Sequence, residues 1–224
     1  MKLVNSKINY SIEFKENIVN ILVIENQSVM SQVVQSLWNQ CNGNDGDFCL
    51  SEEKTLKIDK LMCTIINPFS IDFNNKKILS ALYNSLSQSA NDFIEEKSKI
   101  NASIIALLDD IIDREDCHNI DYSLDFSWHD LFKIYNIKIE ETQETLLISL
   151  IEYLKILVNY CGIKIVSFIN LKSYLSEEEI LELYKYSNYN KIQLLLIEST
   201  ERTILQNEMV HIVDADKCII NKQF

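Results

Sequence analysis

The sequence predicts an α/β protein in which a parallel-rich sheet is split by an elongated helical insertion. Short apolar runs, typical of strands that are buried on both faces, occur near the two ends of the chain and not in its middle. The middle instead shows apolar residues at helical spacing, with no glycine or proline between Phe69 and Cys161. We therefore expect a discontinuous α/β head domain, residues 1–73 and 161–224, and an α-helical insertion, residues 74–160.

The first part of the head is predicted to contain two strands, a helix and then further strands. Apolar residues alternate over 8–14, which predicts a half-buried strand, and the run 21–24 is apolar throughout, which predicts a fully buried one. The elements expected after them are a helix over 29–38, a turn over 42–47, two short strands within 48–63, and a strand over 62–66 that Pro68 ends.

The insertion is predicted to be helical for most of its length, least so around Asp121 and Asp125, and the last third returns to strands and one helix. Ser176 and Glu179 have the spacing of a capping box, which predicts a helix that begins there. The other elements expected in the last third are buried strands over 164–169 and 192–197 and short edge strands over 210–213 and 218–220. Alternation of strand and helix favours a parallel-rich sheet.

The composition excludes several function classes. The protein has 224 residues, of which 47% are hydrophobic and 24% charged, a balance typical of a globular chain. Its three glycines lie at 43, 46 and 162, so no complete phosphate-binding glycine loop can be present, and we expect no nucleotide site. No apolar stretch approaches the length of a membrane span or a signal peptide. The six cysteines show no CxxC pair. We expect a cytoplasmic protein with reduced, mostly buried thiols.

Catalytic residues are scarce, and the sequence predicts no enzymatic activity. The three histidines lie outside any nucleophile elbow or HExxH helix. A zinc site from Cys117, His118 and His129 is the alternative to ordinary core or surface roles, although its spacing matches no common pattern.

The middle of the chain is strongly acidic. The net charge is −12, and eight acids with a single base, Arg114, lie between Asp109 and Asp130. These carboxylates repel one another, and two arrangements would relieve the repulsion. They can form a solvated face, or they can bind a hard cation such as calcium, which takes six to eight oxygen ligands.

The bases are nearly all lysine, since Arg114 and Arg202 are the only arginines. The ordinary explanation of the lysines is solubility. The functional alternative is contact with phosphate, because lysine without arginine or interleaved aromatic residues supports binding that is independent of base sequence.

Several segments together resemble one known family. They are, in order, Leu22–Asn26 leading into the helix 29–38, Ile66-Asn67-Pro68-Phe69-Ser70-Ile71-Asp72-Phe73 continuing to Leu79, Asp130–Lys133, Ile137–Glu140, and Lys164–Asn170. This pattern resembles the Csn-two family, the accessory spacer-acquisition proteins of type II-A CRISPR–Cas systems, over essentially the whole chain.

The resemblance implies a fold and a function. The head would be a degenerate P-loop-ATPase-like domain without its nucleotide site, and the insertion a helical leg. Members of the family assemble as homotetrameric rings whose lysine-lined hole holds double-stranded DNA, entered from free ends. Calcium in the acidic region supports the ring, and the proteins act with the CRISPR integrase and effector nuclease without catalysis of their own.

The resemblance also implies site residues. The calcium ligands map to the acidic segment and are Asp113, Glu115, Asp116, Asp121, Asp125 and Asp130. The DNA-facing lysines map to Lys54, Lys57, Lys76, Lys133 and Lys138. An alternative function is a protein–protein scaffold that recruits the integrase and nuclease and contacts DNA only weakly, which the net charge of −12 favours because an anionic protein repels DNA.

Overall fold

The computed structural model describes residues 1–7, 10–116, 119–140, 144–216 and 218–223. It divides into two compact units, Met1–Phe73 with Glu141–Phe224, and Asn74–Glu140, here called the first and second units. The strands are β1 (Lys2–Asn5), β2 (Tyr10–Glu13), β3 (Val19–Ile24), β4 (Phe48–Ser51), β5 (Thr55–Leu56), β6 (Met62–Ile65), β7 (Ile165–Ile169), β8 (Gln193–Glu198), β9 (Glu208–Val213) and β10 (Ile219–Gln223). The helices are α1 (Gln27–Cys41), α2 (Ile58–Leu61), α3 (Lys76–Ser89), α4 (Ile94–Ile112), α5 (Trp128–Ile134), α6 (Leu146–Asn159) and α7 (Glu177–Tyr189).

The first unit contains a six-stranded main sheet, in the order β10-β9-β3-β8-β7-β6. Neighbouring strands from β9 to β6 pair in parallel, and β10 pairs antiparallel with β9. The sheet therefore joins strands from both sides of the insertion, which confirms the predicted α/β class and parallel-rich sheet. β9 lies between two strands, so its expected position at an edge is wrong.

A second, antiparallel sheet has the order β2-β1-β4-β5 and packs its apolar face into the same core. Tyr10 and Ile12 are buried on β2 and their neighbours are exposed, as the alternation predicts; Ile8, which begins that pattern, lies outside the described residues. All residues of β3 and β7 are buried, because helices or the second sheet cover both faces of the main sheet.

Helix α7 begins where the sequence predicts. The Ser176 hydroxyl accepts a hydrogen bond from the Glu179 backbone N–H at 3.2 Å, and the Glu179 carboxylate accepts one from the Ser176 N–H at 2.8 Å. This capping box satisfies two backbone donors that the helix itself leaves unpaired.

Helix α6 belongs to the first unit, so the expected end of the insertion at residue 160 is corrected to residue 140. Its buried face, which includes Leu147, Leu150 and Leu154, packs in that unit, and α6 contacts α7. The Tyr153 ring also lies edge-to-face against Phe73, with ring centroids 5.5 Å apart. Without glycine or proline to interrupt the helical pattern, the sequence did not indicate this change of unit.

The second unit is helical, as predicted, and has a small core. Leu82, Tyr83 and Phe132 are buried together, and the Tyr83 hydroxyl donates a hydrogen bond to the Ile137 carbonyl at 2.8 Å. No residue of the 19-residue α4 is buried in the structure. Ile100, Ile104, Leu107 and Ile111 are exposed on it at spacings of three and four residues, which places them on one face.

The cysteines differ from the expectation of mostly buried thiols. In the described part of the chain Cys41, Cys63 and Cys161 are half-buried, Cys49 and Cys218 are exposed, and none of the five is in a disulfide. Cys49 is exposed because Phe48 and Leu50 take the buried positions of β4. Within the described residues, no helix is long and apolar enough to span a membrane.

We predict that Leu154→Ala lowers the free energy of unfolding by about 2–5 kcal/mol, because Leu154 is 0% exposed and its truncation leaves a cavity. Ile148→Ala, on the exposed side of the same helix, is the matched control and should change stability by less than about 0.5 kcal/mol. Urea denaturation followed by circular dichroism measures both changes in the free energy of unfolding. Equal changes for the two variants would contradict the packing of the Leu154 face of α6 in the core.

Candidate functional site

The carboxyl edge of the main sheet is where nucleotide-binding α/β proteins place their phosphate loop. Here the connection between β3 and α1 has only two residues, Glu25 and Asn26. The Asn26 carboxamide accepts a hydrogen bond from the Val29 N–H at 3.1 Å and donates one to the Ala215 carbonyl at 3.1 Å. A side chain of the protein therefore occupies the N-terminus of α1, in place of a loop of backbone donors that could surround a phosphate.

Asn170 directly follows β7 at the carboxyl edge of the main sheet. Asn170 adopts a left-handed backbone conformation with φ of 53°, which asparagine tolerates better than most residues. Its backbone N–H donates to the Ile197 carbonyl, and its side-chain oxygen accepts from the Ser199 N–H, both at 2.8 Å. The residue thus connects the ends of β7 and β8 and is structural in this arrangement.

A buried charged cluster, which no local sequence pattern predicts, lies in the first unit. The Lys172 ammonium contacts the Glu208 carboxylate at 2.6 and 2.8 Å, and both side chains are buried. The Tyr184 hydroxyl donates to Glu208 at 2.6 Å, and burial raises the pKa of Tyr184, so it remains protonated as a donor. The Leu205 N–H adds a bond at 2.9 Å. The carboxylate of Glu208 is thus satisfied from three directions, as a buried charge requires.

Glu198, at the end of β8, is the less well compensated acid of this cluster. It is 1% exposed and accepts a hydrogen bond from the Lys172 backbone N–H at 3.1 Å. Burial raises the pKa of Glu198 to about 6, although the N–H of Lys172 and its nearby ammonium act in the opposite direction. The only sequence signal for this cluster is a charged residue at the end of an otherwise apolar strand.

The five lysines expected to face DNA are exposed in the structure and are divided between the two units. Lys54 and Lys57 belong to the first unit, on the turn between β4 and β5 and at the start of α2. Lys76, Lys133 and Lys138 belong to the second. Lys133 lies 3.7 Å from Asp130, and none of the other four forms an ion pair among the residues that the structure describes.

The fold brings two of these lysines, separated by 62 positions in the sequence, to one place in the second unit. Asn74 forms two hydrogen bonds with Ile139: its side-chain oxygen accepts from the Ile139 N–H at 2.8 Å, and its amide donates to the Ile139 carbonyl at 3.0 Å. Lys76 and Lys138 are each within two residues of this connection. Lys76 also begins α3, where the first turn contains no acid.

Residues 122–125 of the acidic segment lie beside α4 and are held there by polar contacts. Asp125 forms an ion pair with Lys97 at 3.0 Å, and Asn101 donates to the Leu124 carbonyl at 2.7 Å. The Tyr122 hydroxyl donates to Asp109, which raises the pKa of Tyr122. Three contacts along one helix thus fix this irregular segment.

Two of the six expected calcium ligands, Asp125 and Asp130, already have partners. The hydrogen bond from Lys97 lowers the pKa of Asp125, and the hydrogen bond from Ser127, at 2.5 Å, lowers the pKa of Asp130. Ser127 is the N-cap of α5, and its hydroxyl accepts from the Asp130 N–H at 3.1 Å. Asp130 is thereby part of a helix start.

The expected calcium ligands are not assembled in this arrangement. Among the described residues, no group of three or more His, Cys, Asp or Glu side chains is placed to hold a metal ion. Calcium needs six to eight oxygen ligands, so the carboxylates as placed do not fit a calcium shell. The set Asp113, Glu115, Asp116, Asp121, Asp125 and Asp130 stays a prediction that requires the segment to rearrange.

Two residues of the alternative zinc site, Cys117 and His118, lie outside the described residues. The third, His129, packs edge-to-face against Tyr83, with ring centroids 5.1 Å apart. His211 is buried beside Tyr10, with its Nε2 3.3 Å from the side-chain oxygen of Asn20. These two histidines therefore have roles in packing.

Comparison with known proteins identifies the family. The sequence model described as CRISPR-associated protein (Cas_Csn2) matches residues 40–217. The chain belongs to this family. The resemblance stated from the sequence is thereby confirmed, and membership implies a role in CRISPR adaptation.

Two curated relatives support the assignment. The CRISPR-associated protein Csn2 of Enterococcus faecalis is 26% identical over 195 residues, which cover 86% of this chain and 87% of the relative. The protein of the same name from Streptococcus agalactiae is 25% identical over 205 residues, 90% of each chain. A crystal structure of an ATP-binding cassette of an ABC transporter, in its ADP conformation, aligns with a TM-score of 0.45 and 11% identity over 91% of this chain and 79% of that one. A TM-score of this size does not establish a shared fold.

We predict that the free energy of unfolding falls as pH rises from about 4.5 to about 6, because Glu198 holds a proton more tightly when folded than when unfolded. A shift of this size corresponds to roughly 2 kcal/mol. Glu198→Gln keeps an acceptor for the Lys172 N–H and should remove this slope. Urea denaturation across this pH range measures it.

Glu182→Gln, on the exposed face of α7, is the matched control and should retain the wild-type slope. Asp125 and Asp130 have lowered pKa values, so their effects on stability lie at lower pH, outside the window. A slope that persists in Glu198→Gln would show that another group causes it.

Proposed function

We propose that the protein binds the ends of linear double-stranded DNA during CRISPR adaptation, without sequence preference and without catalysis, as a homotetrameric ring. The observation that carries the proposal is the pair of hydrogen bonds between Asn74 and Ile139, which brings the chain segments of Lys76 and Lys138 together at the start of α3 in the second unit. Family membership supplies the context, since it implies a role in adaptation.

The start of α3 offers a phosphate lysine side chains and not backbone donors, because the Asn75 side chain already accepts hydrogen bonds from the Lys77 and Ile78 N–H groups, both at 3.1 Å. A helix N-terminus carries a partial positive charge and normally attracts acids, but here the first helical residues are Lys76 and Lys77. Each lysine in that position costs about 0.3–1 kcal/mol of helix stability unless an anion is near. A phosphate beside Lys76 and Lys138 would interact favourably with both charges and with the helix dipole.

Contacts of this kind read no base sequence. Lysine is a flexible point charge, and base recognition in the major groove relies mostly on the bidentate geometry of arginine, asparagine and glutamine. The chain has two arginines, so lysine supplies nearly all of its positive charge. We therefore expect binding that depends on phosphates and on salt.

Self-assembly is supported by the exposed apolar face of α4. Ile100, Ile104, Leu107 and Ile111 form one stripe, and a helix whose apolar stripe stays in water is unfavourable. Contact between copies of the chain would bury it. Assembly would also reduce the repulsion between this anionic protein and DNA, because a ring can direct its lysines inward although the net charge of the chain is −12.

The second candidate function is a scaffold that recruits the CRISPR integrase and effector nuclease and contacts DNA weakly. The net charge and the α4 stripe favour it, because the first repels DNA at long range and the second suits a protein partner. The two functions differ in the dependence of DNA binding on salt and on free ends.

We predict that Lys76→Gln with Lys138→Gln weakens binding of a linear duplex about tenfold, because two positive charges no longer neutralise phosphates. The decrease of log affinity with log salt should become shallower by about one for each phosphate that is no longer neutralised. Fluorescence anisotropy of a labelled duplex at several salt concentrations measures both values. Lys155→Gln with Lys185→Gln removes the same charge from the exposed faces of α6 and α7 and is the matched control.

The same assay, with relaxed circular duplex as competitor, separates end-dependent binding from side-on binding. A closed ring must be threaded, so the circle should compete poorly. Equal competition by circle and linear fragment would contradict a ring that is entered from free ends, and a flat salt response would favour the scaffold.

Calcium dependence belongs to the same proposal. Because the carboxylates are not assembled in the structure, binding would have to release Asp125 from Lys97. We predict that calcium raises the melting temperature more than magnesium does, since a flexible carboxylate segment suits its larger coordination number. Asp125→Asn with Asp130→Asn should abolish the increase, and chelator should loosen the tetramer of the wild type.

Two further variants sharpen this experiment. Lys97→Gln removes the competitor for Asp125 and should lower the calcium concentration needed for half of the effect. Glu178→Gln with Glu182→Gln removes two acids from α7 and should leave the calcium response intact. No calcium-dependent change in melting or light scattering of the wild type would show that the segment is a solvated acidic face.

A further inference from the structure

Two aromatic side chains form an exposed pair at the carboxyl edge of the main sheet. Phe69 is 64% and Tyr174 49% exposed, and their rings lie edge-to-face with centroids 5.1 Å apart. Phe69 follows β6, and Tyr174 follows the short 3-10 turn after β7. Strands β6 and β7 are parallel neighbours in the main sheet. The two aromatic residues are separated by 105 positions in the sequence, so only the sheet brings them together.

Both rings are carried by ordered backbone. The Phe69 N–H donates to the side chain of Asn67 at 3.0 Å, and the Asn67 amide donates to the Ser70 hydroxyl at 2.7 Å, which fixes a tight turn. The Tyr174 N–H donates to the Leu171 carbonyl at 3.0 Å, and the Leu171 side chain is fully buried. A ligand that packs on these rings therefore needs to order little of the protein.

An arginine lies beside the pair. Arg202 donates from Nη2 to the hydroxyl of Ser173, the residue before Tyr174, at 2.9 Å. Among the described residues no carboxylate lies within ion-pair distance of Arg202, although its positive charge opposes the effect of burial, which raises the pKa of Glu198. The adjacent Glu201 is paired with Lys222 at 2.7 Å. The loop that carries Arg202 is fixed by the Lys172 ammonium, which donates to the Thr203 carbonyl at 2.9 Å. Most of the guanidinium donors thus stay available to an anion.

We propose that Phe69, Tyr174 and Arg202 form a binding site for unpaired nucleobases at a single-stranded DNA end, in which a base stacks on the aromatic pair and the guanidinium contacts its phosphate. Exposed aromatic rings next to a cation are the combination that binds single strands without sequence preference. Bases inside a duplex are already stacked, and a blunt end exposes one face of a base pair that is still held by pairing, whereas an unpaired base is free to turn onto the rings. The site therefore prefers overhangs to blunt ends.

The acidic residues around the site limit the number of nucleotides that it can bind. Glu177 and Glu178 are exposed on the first turn of α7, a few residues beyond Tyr174, and would repel a long phosphate track. Arg202 supplies a single phosphate contact. The site therefore accommodates one or two nucleotides. This inference rests on the proposed function and extends it, because the protein would also distinguish duplex ends that carry unpaired bases from blunt ends.

The experiment compares a blunt duplex with the same duplex carrying a two-nucleotide 3′ or 5′ overhang that contains 2-aminopurine, whose fluorescence is quenched by stacking. The wild type should bind at least one overhang about fivefold or more tightly than the blunt duplex, since each unpaired base that stacks on an aromatic side chain adds to the binding free energy. Binding should quench the fluorescence. Phe69→Leu with Tyr174→Leu should remove both effects, and Arg202→Gln should reduce the preference while the quenching persists.

The variants are at exposed positions, so their melting temperatures should stay close to that of the wild type. Tyr189→Leu, which replaces a tyrosine that is 89% exposed at the end of α7, is the matched control and should keep the preference. No overhang preference in the wild type, or the same preference in the double variant, overturns this site whether or not the blunt duplex binds. If only overhangs bind and quench, the duplex proposal fails and the stacking site stands.

Discussion

The first unit of the structure depends on the parallel pairing of β3 with β8, because these strands come from opposite sides of the insertion. Asn20–Val23 pair with Leu195–Glu198, and β9 pairs with the other side of β3. Nearly every side chain of these central strands is buried, so the pairing brings together most of the apolar surface that stabilises the unit. Closing so long a loop costs conformational entropy, and the extensive burial in the sheet compensates for this cost.

Polar contacts at the strand ends complete this arrangement. Asn170 connects β7 to β8, Asn26 connects the start of α1 to the segment after β9, and Lys172 contacts the carboxylates at the end of β8 and the start of β9. These residues lie at the carboxyl edge of the main sheet, where open parallel α/β sheets commonly bind their ligands. The carboxyl edge also presents Phe69, Tyr174 and Arg202 to solvent, with the exposed acids Glu177 and Glu178 a few residues away.

The second unit differs from the first because more of its apolar surface stays exposed to solvent. Its core is small, and α4 has an apolar stripe that the described structure does not bury. Two of its acids, Asp125 and Asp130, are compensated by Lys97 and Ser127. The charges at the start of α3 are basic. These features are consistent with a unit whose stability and function both involve further molecules, which is the basis of the proposals on assembly and phosphate contact.

The sequence by itself determined the elements whose signals are local. Continuous apolar runs predicted β3, β7 and β8, the Ser176 and Glu179 pair predicted the start of α7, and a few short segments in a matching order were sufficient for the family resemblance. These patterns depend on residues that are near one another in the chain, and burial of an apolar run or capping of a helix requires little information from elsewhere.

Only the tertiary structure decided the features that join distant residues. The helical periodicity of α6 is the same whether it packs in the first unit or in the second, so its position depended on which surface buries Leu150 and Leu154. The Lys172, Glu198 and Glu208 cluster, the approach of Lys76 to Lys138, and the pairing of Phe69 with Tyr174 each join positions 26 to 105 residues apart. The acidic segment is a case in which the sequence suggested a site that the structure does not assemble. Its charge suggested a cation site, but in the fold Asp125 and Asp130 have partners of their own. A lysine or a serine hydroxyl within hydrogen-bond distance compensates a carboxylate without a metal.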